Sequence, residues 1–235
     1  MNVIGITAVT SKAAALSYLH IVETSLTQTG KHPEIIVQSS SVDLCIQAIQ
    51  QAMQNKPLQL IELLLYSLTK LWEAGATVAI IPNNSSHLVI EEIAKQSPVK
   101  CISIIDPVIE KCKAEQYRST CIIGPSAVTK SKMYESPLAN DGINVVTPDS
   151  EEQQFLQDVI FDASKKGNID EEKKQEVKKI FKKIQARNSF DSVIVSCSEL
   201  TDILTSTFTG LPVINPFQLQ AEASLRHATP LLAAE

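Results

Sequence analysis

Short apolar runs alternate along the whole chain with longer stretches whose apolar positions recur every three or four residues. The short runs, at residues 3–6, 34–37, 77–81, 101–104, 119–123, 144–146, 192–195 and 211–214, read as strands. Helices are predicted over residues 11–27, 57–74, 88–95, 107–115, from after Ile123 to about residue 138, 153–165, 171–185 and about 218–227. Leu60, Leu63, Leu64, Ser67 and Leu71 share one face of the second helix, and Gly75 follows it as a stop. Strands that are apolar throughout, each followed by a helix, predict parallel sheets covered on both faces.

Eight strands divide into two groups of four. The expected fold is α/β: two similar Rossmann-like domains, each a mainly parallel four-stranded sheet flanked by helices. The predicted crossover lies near residue 115 and the return near residue 210. This gives a first domain of 1–115 plus 210–235 and a second of 116–209. Ligands of such sheets sit beyond the carboxyl ends of the strands. That rule singles out Thr7, Asn83, Gly124, Cys197 and Asn215.

Charge narrows the partners. The net charge is −5 and the sequence pI is about 5.5, which disfavours nucleic acid and anionic membrane surfaces. The lysine-rich segment 171–185 carries Val177, Ile180, Phe181 and Ile184 at helical spacing, so its lysines read as a solvated outer face. No apolar run reaches the roughly 20 residues of a membrane span. The first residues lack the pattern of a signal peptide, and a cytoplasmic location is expected. The five cysteines show no metal-binding spacing, and most are expected to be free, buried thiols.

Two strand ends carry the candidate chemistry. After residues 192–195 comes Ser196-Cys197-Ser198-Glu199. Ser196 and Glu199 have capping-box spacing, which would make Cys197 the first residue of a helix. A thiol there would face free N–H groups and the positive end of the helix dipole, conditions that favour a thiolate. After residues 77–81 comes Pro82-Asn83-Asn84-Ser85-Ser86-His87. Asn83, Asn84 and Ser85 are cap-forming types whose backbone N–H groups could hold a carboxylate.

These segments, in this order, resemble the aspartate/glutamate racemase family. Residues 82–87 are similar to the family's Pro-Cys-Asn-Thr-Ala-His motif, and 196–199 to its Gly-Cys-Thr-Glu motif. Ile122-Ile123-Gly124-Pro125 resembles its Leu-Leu-Gly-Thr turn. The likeness extends over essentially the whole chain. It implies a pair of like domains with the active site in the cleft between them. It also implies two-base proton transfer at the substrate Cα, with no pyridoxal phosphate, no other cofactor and no metal. Cys197 would be one acid/base, and Asn83 stands where the family has the other cysteine. Asn84, Ser85, Ser198, Glu199, Thr7, Ser126 and His87 are the expected substrate-binding residues.

An asparagine neither takes nor gives a proton near neutral pH. The family's arginine-bearing segment is here Ser39-Ser40-Ser41-Val42-Asp43, and its late histidine is Gln220. The expected function is a cofactor-independent amino-acid racemase of aspartate/glutamate type. The alternatives are an inactive racemase-like protein that binds a small carboxylate or a protein partner, and a one-thiol decarboxylase or isomerase. The expected ligand is an amino acid or other small carboxylate. By the same resemblance a homodimer is an option, with the Leu58-bearing helix contributing.

Overall fold

The computed structural model describes residues 3–228. The chain forms, in order, β1 (Ile4–Ala8), α1 (Ser11–Thr29), β2 (Ile35–Ser39), α2 (Val42–Met53), α3 (Leu58–Glu73), β3 (Val78–Ile80), α4 (Ile90–Gln96), β4 (Lys100–Ile102) and α5 (Asp106–Ala114). It continues through β5 (Ser119–Ile123), α6 (Ser126–Ser131), α7 (Glu135–Asn140), β6 (Asn144–Val146), α8 (Ser150–Lys166), α9 (Glu171–Arg187), β7 (Ser192–Val195), α10 (Ser206–Thr209), β8 (Val213–Ile214) and α11 (Pro216–Ala228).

The strands make two four-stranded sheets, ordered β2-β1-β3-β4 and β6-β5-β7-β8, and every pairing is parallel. The α/β fold predicted from the strand pattern is the observed one. Burial follows the order. The inner strands β1, β3 and β7 are buried at every residue and β5 at all but its first, while the edge strands β2, β4, β6 and β8 are partly exposed.

Contacts divide the molecule into residues 3–107 with 217–228, and residues 108–216. The return therefore follows β8 instead of preceding it. Pairing with β7, Val193 beside Val213 and Ile194 beside Ile214, ties β8 to the second sheet.

In the first unit, one sheet face packs Ala79 and Ile81 against Ala48 of α2 and Leu60, Leu64, Leu68 and Leu71 of α3. The other packs Ile4, Ile6, Val78 and Ile80 against Ile21 of α1 and Ala221, Ala223 and Leu225 of α11. In the second unit, Cys121, Ile123, Val193 and Val195 meet Leu156, Val159 and Ile160 of α8 and Val177, Ile180, Phe181 and Ile184 of α9. Burying each such aliphatic side chain contributes about 1.5–3 kcal/mol.

Local signals set the helix ends. α1 stops at Gly30, whose φ of 68° lets its N–H reach the Leu26 carbonyl. α8 starts from a reciprocal capping box between Asp149 and Glu152. The helix expected to run from after Ile123 to about residue 138 is instead two, because Lys132 takes a left-handed φ of 60°. No helix of the described residues is long and apolar enough to cross a membrane.

Candidate active site

The carboxyl ends of the inner strands β1 and β3 bring Thr7 together with the segment after Ile81. Thr7 is 1% exposed, and its hydroxyl has no protein partner. Asn83 caps a 3₁₀ turn, Asn84–Val89, with extended φ −152° and ψ 109°. Its Oδ1 accepts from the Ser86 N–H at 2.9 Å and the Ser86 hydroxyl at 3.0 Å. The expected helix at residue 88 thus begins as a tighter turn at residue 84, started by that cap. Asn84 and Ser85 are buried within it.

His87 is 3% exposed and bonded at both ring nitrogens. Nδ1 donates to the Asn83 carbonyl at 3.0 Å, and Nε2 accepts from the Ile104 N–H at 3.1 Å. The pattern defines a neutral imidazole. Burial lowers its pKa to about 4, against backbone contacts at Asn83 and Ile102 that favour the charged form. The expected substrate-binding histidine is therefore a clip between the ends of β3 and β4. Gln220 of α11 reinforces the same corner, donating Nε2 to the Ile102 carbonyl at 2.8 Å.

In the second unit, β5 and β7 end side by side. A Cβ on Gly124 would lie 2.0 Å from the Ser196 hydroxyl oxygen, so this position requires glycine. Ser196 donates to the Ile123 carbonyl through its N–H at 2.9 Å and its hydroxyl at 3.2 Å. Ser196 is thus not the N-cap that its spacing from Glu199 suggested. Cys197 holds that place, with φ −138° and ψ 125°, ahead of the short 3₁₀ turn Ser198–Leu200. A single three-residue turn has little dipole, so the expected helix-end stabilisation of a thiolate does not arise.

A different partner replaces it. Cys197 Sγ donates to Glu199 Oε2 at 3.0 Å, and the Ser198 hydroxyl donates to the same oxygen at 2.8 Å. Cys197 is 5% exposed and Glu199 is half-buried. The other thiols have no such setting. Burial pushes Cys101 and Cys121 up to about 12 and Cys112 to about 11, and raises Cys45.

Ser126 opens α6, but its N–H and hydroxyl both donate to Gln157 Oε1, at 2.8 and 3.0 Å. Gln153 of the same helix donates Nε2 to the Gly124 carbonyl at 3.0 Å. These two glutamines, four residues apart on α8, hold the β5–α6 loop. Their spacing was the only sequence signal for them. Asn215 follows β8 and is partly exposed. Arg187 is committed to a two-pronged bond with the buried Glu152, at 2.7 and 2.5 Å. Among the described residues, no three His, Cys, Asp or Glu side chains are grouped to hold a metal.

The second strand end places a thiol as hydrogen-bond donor to a carboxylate. The first offers cap hydrogen bonds and a buried hydroxyl.

Comparison with solved structures gives the same architecture. A candidate Asp/Glu racemase from Yersinia pestis superposes with a TM-score of 0.81 at 21% identity, covering 97% of this chain and 99% of that one. An aspartate racemase homologue from Pyrococcus horikoshii OT3 gives 0.77 at 24% identity, covering 98% and 100%. A glutamate racemase from Aquifex pyrophilus gives 0.66 at 17% identity, covering 97% and 84%. At these identities the likeness is one of fold. The family model for Asp/Glu/Hydantoin racemase matches residues 3–224. With nearly its full length matched by that model, the chain belongs to the Asp/Glu/hydantoin racemase family.

Proposed function

We propose that the protein is a cofactor-independent enzyme of amino-acid racemase type, moving a proton at the Cα of aspartate, glutamate or a similar small carboxylic acid. Cys197 is the acid/base. The observation that carries this reading is the Cys197 thiol at the carboxyl end of the buried strand β7, hydrogen-bonded to Glu199. Thr7, Asn84, Ser85 and Ser198 bind the substrate. The unpartnered Thr7 hydroxyl supports this, since a buried polar group costs about 1–3 kcal/mol unless something bonds it.

The test is exchange of Cα hydrogen for deuterium in heavy water, with both enantiomers of aspartate and glutamate. Exchange is expected in the unmodified protein, with a loss of about 10²-fold or more in Cys197→Ser. No exchange with any acidic or neutral amino acid would overturn the proposal.

One observation favours a second reading. Asn83 has no transferable proton, and both nitrogens of His87 are taken by backbone groups. Proton delivery to one face only is what cofactor-free decarboxylation needs. Carbon dioxide release from malonate-type acids, without racemisation, would assign the protein to that chemistry. Thermal stabilisation by a small carboxylate with no turnover of any kind would make it a binding protein.

A further inference from the structure

One polar residue interrupts the inward face of α3. Ser67 is 1% exposed among Leu60, Leu64, Leu68 and Leu71, where the pattern calls for an aliphatic side chain. Its hydroxyl donates to Gln38 Oε1 of β2 and lies 3.2 Å from the Ser40 hydroxyl. Gln38 Nε2 donates to the Ser39 carbonyl at 2.9 Å, and its second N–H has no partner among the described residues. Gln38 in turn pairs in register with Thr7 of β1.

Thr7 and Gln38 face the same way. Ile4 and Ile6 belong to the core under α1 and α11, while a Cβ on Gly5 would lie 3.0 Å from Leu71 of α3. Alternation therefore turns Thr7 toward α3. Ile36 packs on the α3 side, and Gln38 follows it by two residues. The chain runs from β1 to β2 on one flank and to β3 on the other, so the carboxyl end of β1 marks the reversal of winding, where open α/β sheets bind ligands.

Resting on Thr7 as a substrate-binding residue, we propose that Thr7, Gln38, Ser40 and Ser67 form a subsite for an uncharged hydrogen-bonding side chain, a carboxamide or a hydroxyl, and so select the amino acid. Two unmet groups mark it: the buried Thr7 hydroxyl and the second N–H of Gln38. An apolar side chain would leave both unpaired. A carboxylate would need a cation, and the surrounding elements bring none. Residues 33–55 contain no lysine or arginine, and the one lysine of α3, Lys70, pairs with Glu73. Burying a charge without such a partner is disfavoured more than burying an amide or hydroxyl that finds its bonds. Ser67 is a positioning residue: by holding Oε1 it fixes which end of the Gln38 amide is the donor. Gln38 and Ser40 are partly exposed, so the cluster opens to the surface.

The test is a substrate order. Cα hydrogen exchange in heavy water gives kcat/KM for asparagine, glutamine, serine and threonine, with aspartate and glutamate as charged controls and alanine as the apolar one. Titration calorimetry on the same panel gives affinities that do not depend on turnover. In the unmodified full-length protein the best of the four should exceed every control by about 10-fold or more. Gln38→Lys supplies the missing cation and should move the ratio toward the acidic pair by about 10-fold. Ser67→Ala should narrow the lead of the best substrate through KM, with kcat little changed.

Equal or better use of aspartate, glutamate or alanine overturns the subsite and leaves the enzyme standing. Exchange with no amino acid removes the enzymatic reading, and the calorimetric order then decides alone. Tighter binding of the uncharged polar set keeps the subsite; any other order, or no binding, ends it. A lead unchanged in folded Gln38→Lys and Ser67→Ala overturns it as well. Should either variant not fold, the order in the unmodified protein decides.

Discussion

Asn83 and Cys197 hold the same backbone posture: φ −152° and ψ 109° for one, φ −138° and ψ 125° for the other, each as the cap of a 3₁₀ turn. Each also follows the third strand of its sheet in chain order, β3 or β7, and the two sheets share one strand order. A cysteine therefore fits the backbone at position 83. Asn83→Cys loses the bond from the Ser86 N–H, which costs about 1 kcal/mol of stability. In exchange it restores a proton-carrying group. Racemisation of aspartate and glutamate, followed by chiral chromatography, should rise by about 10²-fold or more over the unmodified protein. A folded variant with no gain would count against position 83 as the second acid/base position.

His87 makes the fold sensitive to acid. Its folded-state pKa of about 4 lies below the unfolded value of 6.5, so the unfolded chain binds the extra proton first. The stability of the neutral clip is present above pH 6.5 and is lost as the pH falls toward 4. At about 1.4 kcal/mol per pH unit, the loss is on the order of 3 kcal/mol. Urea unfolding at pH 7 and pH 4.5 should show a smaller drop in His87→Gln than in the unmodified protein. An equal drop would assign the acid sensitivity to the carboxylates alone.

Gly124→Ala should destabilise the second unit by about 1–3 kcal/mol, the range for a methyl forced into filled space. Adding Ser196→Ala removes the oxygen that would lie 2.0 Å away, leaving the Ser196 Cβ at 3.2 Å. The double variant should recover part of the loss in thermal melts. Simple additivity of the two changes would show that the contact does not matter.

Three buried hydroxyls separate structure from ligand binding. Thr120 and Ser192 are neighbours across β5 and β7, both 0% exposed, and neither has a protein partner. Thr120→Val and Ser192→Ala should be neutral or stabilising by about 1 kcal/mol, because each removes an unmet polar group. Thr7→Val should likewise leave stability intact, but it should weaken substrate or carboxylate binding in a titration. Unchanged affinity in Thr7→Val would remove Thr7 from the site.

The sheets were legible in the sequence because their inner strands are apolar at nearly every position. Residues 119–123 and 192–195 appear with the bounds read from pattern alone. The helix α2 was not legible in the same way. Its segment was read against a missing arginine motif, although Ser41 caps it and Cys45 and Ala48 face inward. The site was legible as a list of strand-end residues but not as geometry. The spacing of Ser196 and Glu199 has the form of a capping box, yet the glycine at 124 lets the Ser196 hydroxyl turn to the neighbouring strand. That choice depends on β5 lying beside β7, which no local pattern encodes. His87 was expected to face substrate for a similar reason: its second partner, Ile104, is 17 residues away in sequence.

The last helix, α11, covers the sheet made by the first strands, with Ala221, Ala223 and Leu225 against Ile4 and Ile6. On the ribosome, the first unit cannot close that face until residues 221–225 have emerged. The inserted unit, continuous from 108 to 216, has all its strands available earlier. The order of maturation should thus reverse the order of synthesis, and a nascent chain stopped near residue 216 would keep one finished half beside an open, aggregation-prone one.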